Sequence, residues 1–292
     1  MVTSVRILVF SLAFFLFQAV NGQSSFTLQP DNPSAEEFKA LSWNVYLLPG
    51  MFSATRQKHR AERIGERLVG EDYDVLLLQE VFGRKSRKKL HEKLQSIYPY
   101  CTGPANKKGS PFKSSSGVMI YSRYPLSDIC EIRFNDCKGI DCWGRKGAVF
   151  ASLEKNGQKY QVMSTHLQSA SGTERDYVRL IQYYQIYREL ILPYEKEGVP
   201  QILGGDYNTL KTDSFFYDEM LRVLDAEDGD FMGDTLLTYD SETNDLVYVS
   251  PFSEVLDYVL FRENGKAFRK VERMVRTFEC DWDKKRRKKR NK

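Results

Sequence analysis

The stretch VLLLQEVF (75–82) carries the fold. Val75 to Leu78 form a short, unbroken apolar run between Asp74 and Gln79, which suits a strand buried on both faces. The run stops at Glu80, so a carboxylate sits at the end of a rigid element. Four other segments share this design: LSWNVYLLP (41–49), YQVMSTHLQS (160–169), QILGGDYNT (201–209) and EVLDYVLF (254–261). Each sets a polar residue against an apolar strand, and strand ends are where a sheet presents side chains to a cleft. Five such ends are expected to converge on one pocket.

Between these segments the pattern alternates. Residues 38–47 read as a strand and 55–68 as a helix with charged and apolar residues at helical spacing. Residues 85–97 read as a basic amphipathic helix. The middle is rich in strands, at 117–121, 126–134, 148–153 and 160–166. Asn156-Gly157 between the last two is a hairpin turn, because both residues accept positive φ. Residues 173–192 form the longest predicted helix, with Leu180, Tyr184, Tyr187 and Ile191 on one face. Residues 200–203 and 256–261 read as strands, and 23–36 as a short polar lead-in. Strands sheathed by helices point to two packed sheets with helices outside. No Pro/Gly/Ser linker divides the chain, so one domain is expected over 23–283.

The two ends read differently. Arg6 is the only charge before a nearly all-apolar run from Ile7 to Val20, with small residues following. That run is too short to span a bilayer comfortably and has the plan of a secretory signal peptide over 1–22. The expected location is therefore extracellular. Residues 284–292, KKRRKKRNK, carry eight positive charges. Without them the remaining 35 basic and 39 acidic residues leave a net charge of −4 against +4 for the whole chain. The body is mildly acidic and the basic character sits in a tail. Such a run is either a solvated end or a contact for an anionic surface. Five cysteines stand at 101, 130, 137, 142 and 280. A secreted chain can oxidise them. Cys137 and Cys142 are close enough for a short bridge, but other pairings are equally open, and one cysteine must stay free or pair with another chain.

The candidate residues suit phosphate chemistry. A phosphodiester resists attack because its oxygens are negative, so a hydrolase must neutralise charge, deprotonate water and stabilise the leaving oxygen. Carboxylate and amide oxygens suit Mg²⁺, which needs only one or two carboxylates. Glu80 is the best ligand candidate, with Asn44 beside it. Asp206 can orient the attacking water, Asn208 lies on the same side of an extended chain, and His166 can donate to phosphate oxygens. Each has a plainer reading alone: Glu80 as a helix cap or lysine partner, Asn44 as a turn residue, Asp257 in a surface ion pair. The ordered set carries the argument.

That set resembles the endonuclease/exonuclease/phosphatase superfamily, which carries WN, LQE, THL, GD-x-N, a later D-Y and a final SDH in this order. In finer detail it resembles the neutral, bacterial-type sphingomyelinases C: NVYLLP, LQEVF, STHLQS, the Lys146-Gly147 pair and LTYDSETN (237–244). The likeness covers roughly 37–262. It implies a four-layer α/β sandwich, with Mg²⁺ held by Glu80 near Asn44. It further implies phosphate contacts from His166 and Asn208, water orientation by Asp206, and an aspartate, Asp257, that orients the histidine of SDH. The implied substrate is sphingomyelin or a related phospholipid at a membrane, cleaved to ceramide and phosphocholine. A DNase-like nuclease and a non-catalytic membrane-binding protein are the competing expectations; the acidic body argues against nucleic acid.

One motif is absent. The three histidines are His59, His91 and His166, and the nearest counterpart to SDH is Asp281 followed by Trp282. Reduced turnover is therefore expected. The stretch 262–279, where several relatives carry an aromatic hairpin, is mainly charged.

Overall fold

The computed structural model describes residues 23–30, 37–48, 56–107, 114–233, 236–241 and 252–278. The signal-peptide reading, the basic tail, Cys280, Asp281 and most of 242–251 lie outside the described residues.

The elements run β1 (Gln23–Pro30), β2 (Phe38–Asn44), α1 (Gln57–Val69), β3 (Val75–Gln79), α2 (Arg84–Leu94), β4 (Tyr100–Cys101) and β5 (Met119–Ser122). They continue with β6 (Ser127–Arg133), a 3₁₀ turn (Gly139–Trp143), β7 (Gly147–Lys155), β8 (Gln158–His166) and α3 (Thr173–Ile186). After a π turn (Tyr187–Ile191) come β9 (Gln201–Asp206), α4 (Ser214–Leu224), β10 (Asp230–Phe231), β11 (Tyr239–Asp240) and β12 (Ser253–Glu254). The last two strands are β13 (Asp257–Arg262) and β14 (Phe268–Arg276). One seven-stranded sheet has the order β10-β14-β1-β2-β3-β5-β4, and a five-stranded sheet the order β13-β9-β8-β7-β6. Both are mixed: β2 and β3 run parallel, as do β8 and β9, within otherwise largely antiparallel pairings.

Side-chain alternation sorts the core into three layers. Val75 and Leu77 face the second sheet, packing with Val149, Val162, Ile202 and Val259. Leu76 and Leu78 face outward, covered by Ala61, Ile64 and Leu68 of α1 and Leu90 and Leu94 of α2. On the far side, Phe150, Met163, Leu203 and Leu260 meet Tyr183 and Ile186 of α3 and Met220 and Leu224 of α4. Helix, sheet, sheet and helix make the expected four-layer α/β sandwich. The sheets approach closely at Gly204, where an added Cβ would lie 2.4 Å from Leu77 Cδ1. The glycine before Gly205-Asp206 is thus a packing requirement.

Several elements differ from the sequence reading, β14 among them, since no strand was read over Phe268–Arg276. The lead-in is in fact β1, paired on both edges, whose short 2-residue period (Phe26, Leu28) hides among Ser, Thr and Gln. α4 begins at Asp213, which caps the helix by accepting from the Phe216 amide. Along α3 and the π turn after it, Leu180, Tyr187 and Ile191 pack on the core as read, but Tyr184 is exposed and Arg179, Gln182, Tyr183 and Ile186 are buried beside them. The reason is polar. Arg179 donates to the Gln168 and Ala170 carbonyls, and Gln182 accepts from the Gln168 amide, so the helix holds the loop after His166.

Candidate active site

Asn44, Glu80, His166 and Asp206 end or directly follow β2, β3, β8 and β9, and Asp257 opens β13, which runs antiparallel to β9. All five therefore lie at one end of the sandwich. Asp206 pairs in register with His166 on one side and Asp257 on the other. Gln79 ties the two sheets at this end by donating to Ser42 Oγ and, across the sheets, to Ser164 Oγ at 3.0 Å.

Asn44 Nδ2 donates to Glu80 Oε1 and to Asp206 Oδ2, each at 2.9 Å. Its Oδ1 accepts from the Tyr46 amide at 3.1 Å. The carboxamide thus bridges the two carboxylates with its donor end and turns its oxygen toward the backbone. Asp206 Oδ1 accepts from the Asn208 amide at 3.0 Å, and Asn208 Nδ2 donates to the Leu167 carbonyl. Tyr46, Glu80 and Asn208 all hold positive φ, at 48°, 58° and 52°. For residues other than glycine this conformation costs energy and persists where the surroundings impose it, as at functional sites.

His166 Nε2 lies 3.0 Å from Lys146 Nζ and 3.5 Å from Asp206 Oδ2. Lys146 also donates to the Leu167 carbonyl and forms a buried ion pair with Asp141 at 3.1 Å. An ammonium has no lone pair, so His166 Nε2 accepts from Lys146 and the ring proton sits on Nδ1, which is buried and without a partner among the described residues. The cationic donor at the site is therefore Lys146. The Lys146-Gly147 pair was visible in the sequence, but lysine's usual solvated role hid its importance. Gly147 is required: a Cβ there would come 1.9 Å from the Ile132 carbonyl oxygen. Asp141 is fixed in turn by Ser169 and Gln168 and sits inside the loop closed by a Cys137–Cys142 disulfide. Cys101 and Cys130 are free.

Burial sets the electrostatics. It pushes Glu80 up to about 7, opposed by the Asn44 hydrogen bond and reinforced by the Asp206 charge. Asp206 is raised for the same first reason, with Asn44 and Lys146 opposing. Asp257 is raised well above the usual range by burial and by the Asp206 charge. His166 is held well below its usual range by burial and then by Lys146. Asp257 makes no side-chain bond to the others, and its Oδ1 is buried without a partner among the described residues.

Among the described residues, no three His, Cys, Asp or Glu side chains group as a metal cage. The donor set instead fits a cation that keeps most of its waters, since Glu80 Oε2 is buried and has no hydrogen-bond partner.

A match to the Endonuclease/Exonuclease/phosphatase family covers residues 41–276. Sphingomyelinase C 2 of Leptospira interrogans (serogroup Icterohaemorrhagiae serovar Lai) is 27% identical over 78% of this chain, which spans only 40% of that relative's length. Phospholipase C of Staphylococcus aureus is 29% identical over 79% of the chain and 75% of its own length. A Staphylococcus aureus beta toxin mutant with bound magnesium ions superposes with a TM-score of 0.76 at 25% identity, covering 83% of this chain and 89% of that one. With the strand ends, the four layers and this match in agreement, the chain belongs to the Endonuclease/Exonuclease/phosphatase family.

Proposed function

We propose that the protein is a secreted, Mg²⁺-dependent phosphodiesterase that hydrolyses sphingomyelin to ceramide and phosphocholine. The observation that carries this reading is Glu80. A buried, strained carboxylate keeps one oxygen open while Asn44 joins it to the Asp206–His166–Lys146 cluster. Mg²⁺ at Glu80 Oε2 would neutralise phosphate charge and favour the ionised forms of Glu80 and Asp206. Asp206 then orients water against phosphorus and accepts its proton. Lys146 and Asn208 hold the non-bridging oxygens. The bond from phosphorus to the ceramide oxygen breaks, that oxygen takes a proton from solvent water, and Asp206 returns its proton to solvent. The Cys137–Cys142 disulfide supports an oxidising compartment.

Turnover is expected to be weak. No histidine follows His166 in the sequence, and Asp257 has an unpartnered oxygen where the family orients an imidazole. A missing acid–base or phosphate-contacting group costs roughly 10²–10⁴ in rate. The basic run 284–292 adds attraction to anionic lipid in this reading.

The test measures phosphocholine release from sphingomyelin vesicles, with plasmid DNA as the competing substrate. Slow release that needs Mg²⁺, vanishes with chelator and is lost in Glu80→Gln supports the reading. Cleavage of DNA but not lipid would replace it with a nuclease. A thermal shift on adding Mg²⁺, absent in Glu80→Gln, checks the metal without activity.

A further inference from the structure

Large apolar side chains stand exposed around the site in four separate segments. Ile140 (58% exposed) and Trp143 (71%) lie in the 3₁₀ turn, Tyr177 (54%) in the second turn of α3, Phe215 (60%) at the start of α4 and Phe252 (40%) just before β12. Single exposed apolar residues are ordinary. These are connected. Lys138, next to the 3₁₀ turn, pairs with Glu174 of α3 at 2.7 Å. Tyr177 packs edge-on against Phe216, and the neighbouring Phe215 meets the Phe216 ring edge-on as well. Thr212, before α4, bonds Glu254 of β12, and Phe252 packs on Tyr239.

Topology puts all four at the catalytic end. α3 and α4 follow His166 and Asp206, the 3₁₀ turn leads into β7 beside Lys146, and β12 precedes Asp257. Each of these side chains is exposed on a turn, the first half of a helix or a strand lead-in at that end. Several charged groups along this belt are paired, Lys138 with Glu174, and Lys211 with Asp228 at 2.8 Å, and charges of both signs are interspersed. It therefore matches a zwitterionic surface better than a strongly anionic one. Trp, Tyr and Phe favour the boundary between headgroups and acyl chains. The Cys137–Cys142 bridge presents Ile140 and Trp143 without a large ordering cost, while Asp141 between them faces Lys146.

From this we infer that Ile140, Trp143, Tyr177, Phe215 and Phe252 form the surface by which the protein docks on a choline-headgroup bilayer, delivering a lipid phosphodiester to the site. The inference rests on the lipid-hydrolase reading but has its own test. Binding of the full chain to phosphatidylcholine vesicles, which carry no sphingomyelin, is measured by flotation. The Ile140→Ser/Trp143→Ser/Phe215→Ser variant is expected to bind about tenfold or more weakly for each large side chain removed. Leu192→Ser, exposed beyond the π turn that follows α3, is expected to bind as wild type, and Trp143→Phe to retain most binding. Melting temperature confirms that each variant folds.

Unchanged vesicle binding in the folded triple variant overturns the inference. So does equal loss in Leu192→Ser, or binding that disappears on deleting 284–292 and not on altering the belt. A dimer dissolved by the triple variant, with vesicle binding intact, would assign the belt to self-association instead. Failure of the catalytic reading looks different: the belt variants lose vesicle binding, yet wild type releases no phosphocholine even from detergent-dispersed sphingomyelin.

Discussion

Lys146 and Asp141 are both nearly buried and hold each other at 3.1 Å. Removing one partner strands the other charge, which typically costs about 3–5 kcal/mol. Lys146→Ala is expected to lose about that much stability in denaturant titration, and Asp141→Asn combined with Lys146→Met to recover most of it. Turnover should stay low in both, down roughly 10²–10³, because the cationic donor for the phosphate is gone. Glu80 makes a second expectation. Its carboxyl titrates at about 7 when folded and near 4.5 when unfolded, so its contribution to stability is present below 4.5 and lost as pH rises toward 7. Without divalent cation, Glu80→Gln should gain stability relative to wild type over that interval; a constant difference would refute the assignment. Asn44, Glu80, His166, Asp206 and Asp257 stood out in the sequence because each ends, directly follows or opens an apolar strand, and Asn208 because it lies two residues beyond Asp206. Lys146 stood out only as part of the Lys146-Gly147 pair and Asp141 not at all, because a charged residue in a loop ordinarily faces water.

Among the elements, strands with continuous apolar runs were readable and those relying on neighbours were not. β3 and β9 announce themselves through VLLL and QILGG. β1 has only Phe26 and Leu28 to bury, and its stability comes from ladders on both edges. Helix α3 starts where it was read, and Leu180, Tyr187 and Ile191 of the expected face pack on the core, but the burial of Arg179 and Gln182 was not readable, since they are buried for their hydrogen bonds and not for their hydrophobicity. The disulfide loop is an element whose effect can be measured. Closing so short a loop contributes about 2 kcal/mol through the unfolded chain. Cys137→Ser with Cys142→Ser should lower stability by about that amount and loosen the anchor on Asp141. A reductant should reproduce both effects in wild type and neither in the double variant.

For the molecule as a whole, the sandwich order was readable from five strand ends, but the path that closes it was not. β1 lies inside the seven-stranded sheet, between β2 and β14. Leu28 meets Val271 and Gln23 meets Arg276, contacts that join the two extremes of the folded region. Pairing across such a separation is slow, because the loop entropy is lost before the contacts form. A chain truncated after residue 267 should leave one edge of β1 open, and is expected to aggregate and to be cut by protease within 23–30. Resistance equal to full length would show that β14 is dispensable.

That closure has a consequence for biosynthesis. While a ribosome or an export channel still holds residues 268–276, β1 is an unfinished edge and the site end cannot be fully braced, since Ser24 of β1 bonds the Asp257 carbonyl. A protein built this way completes its hydrolytic pocket only after its final strand is released. In the proposed reading of a secreted lipid hydrolase, a site assembled in that order would remain immature during synthesis and finish only after export.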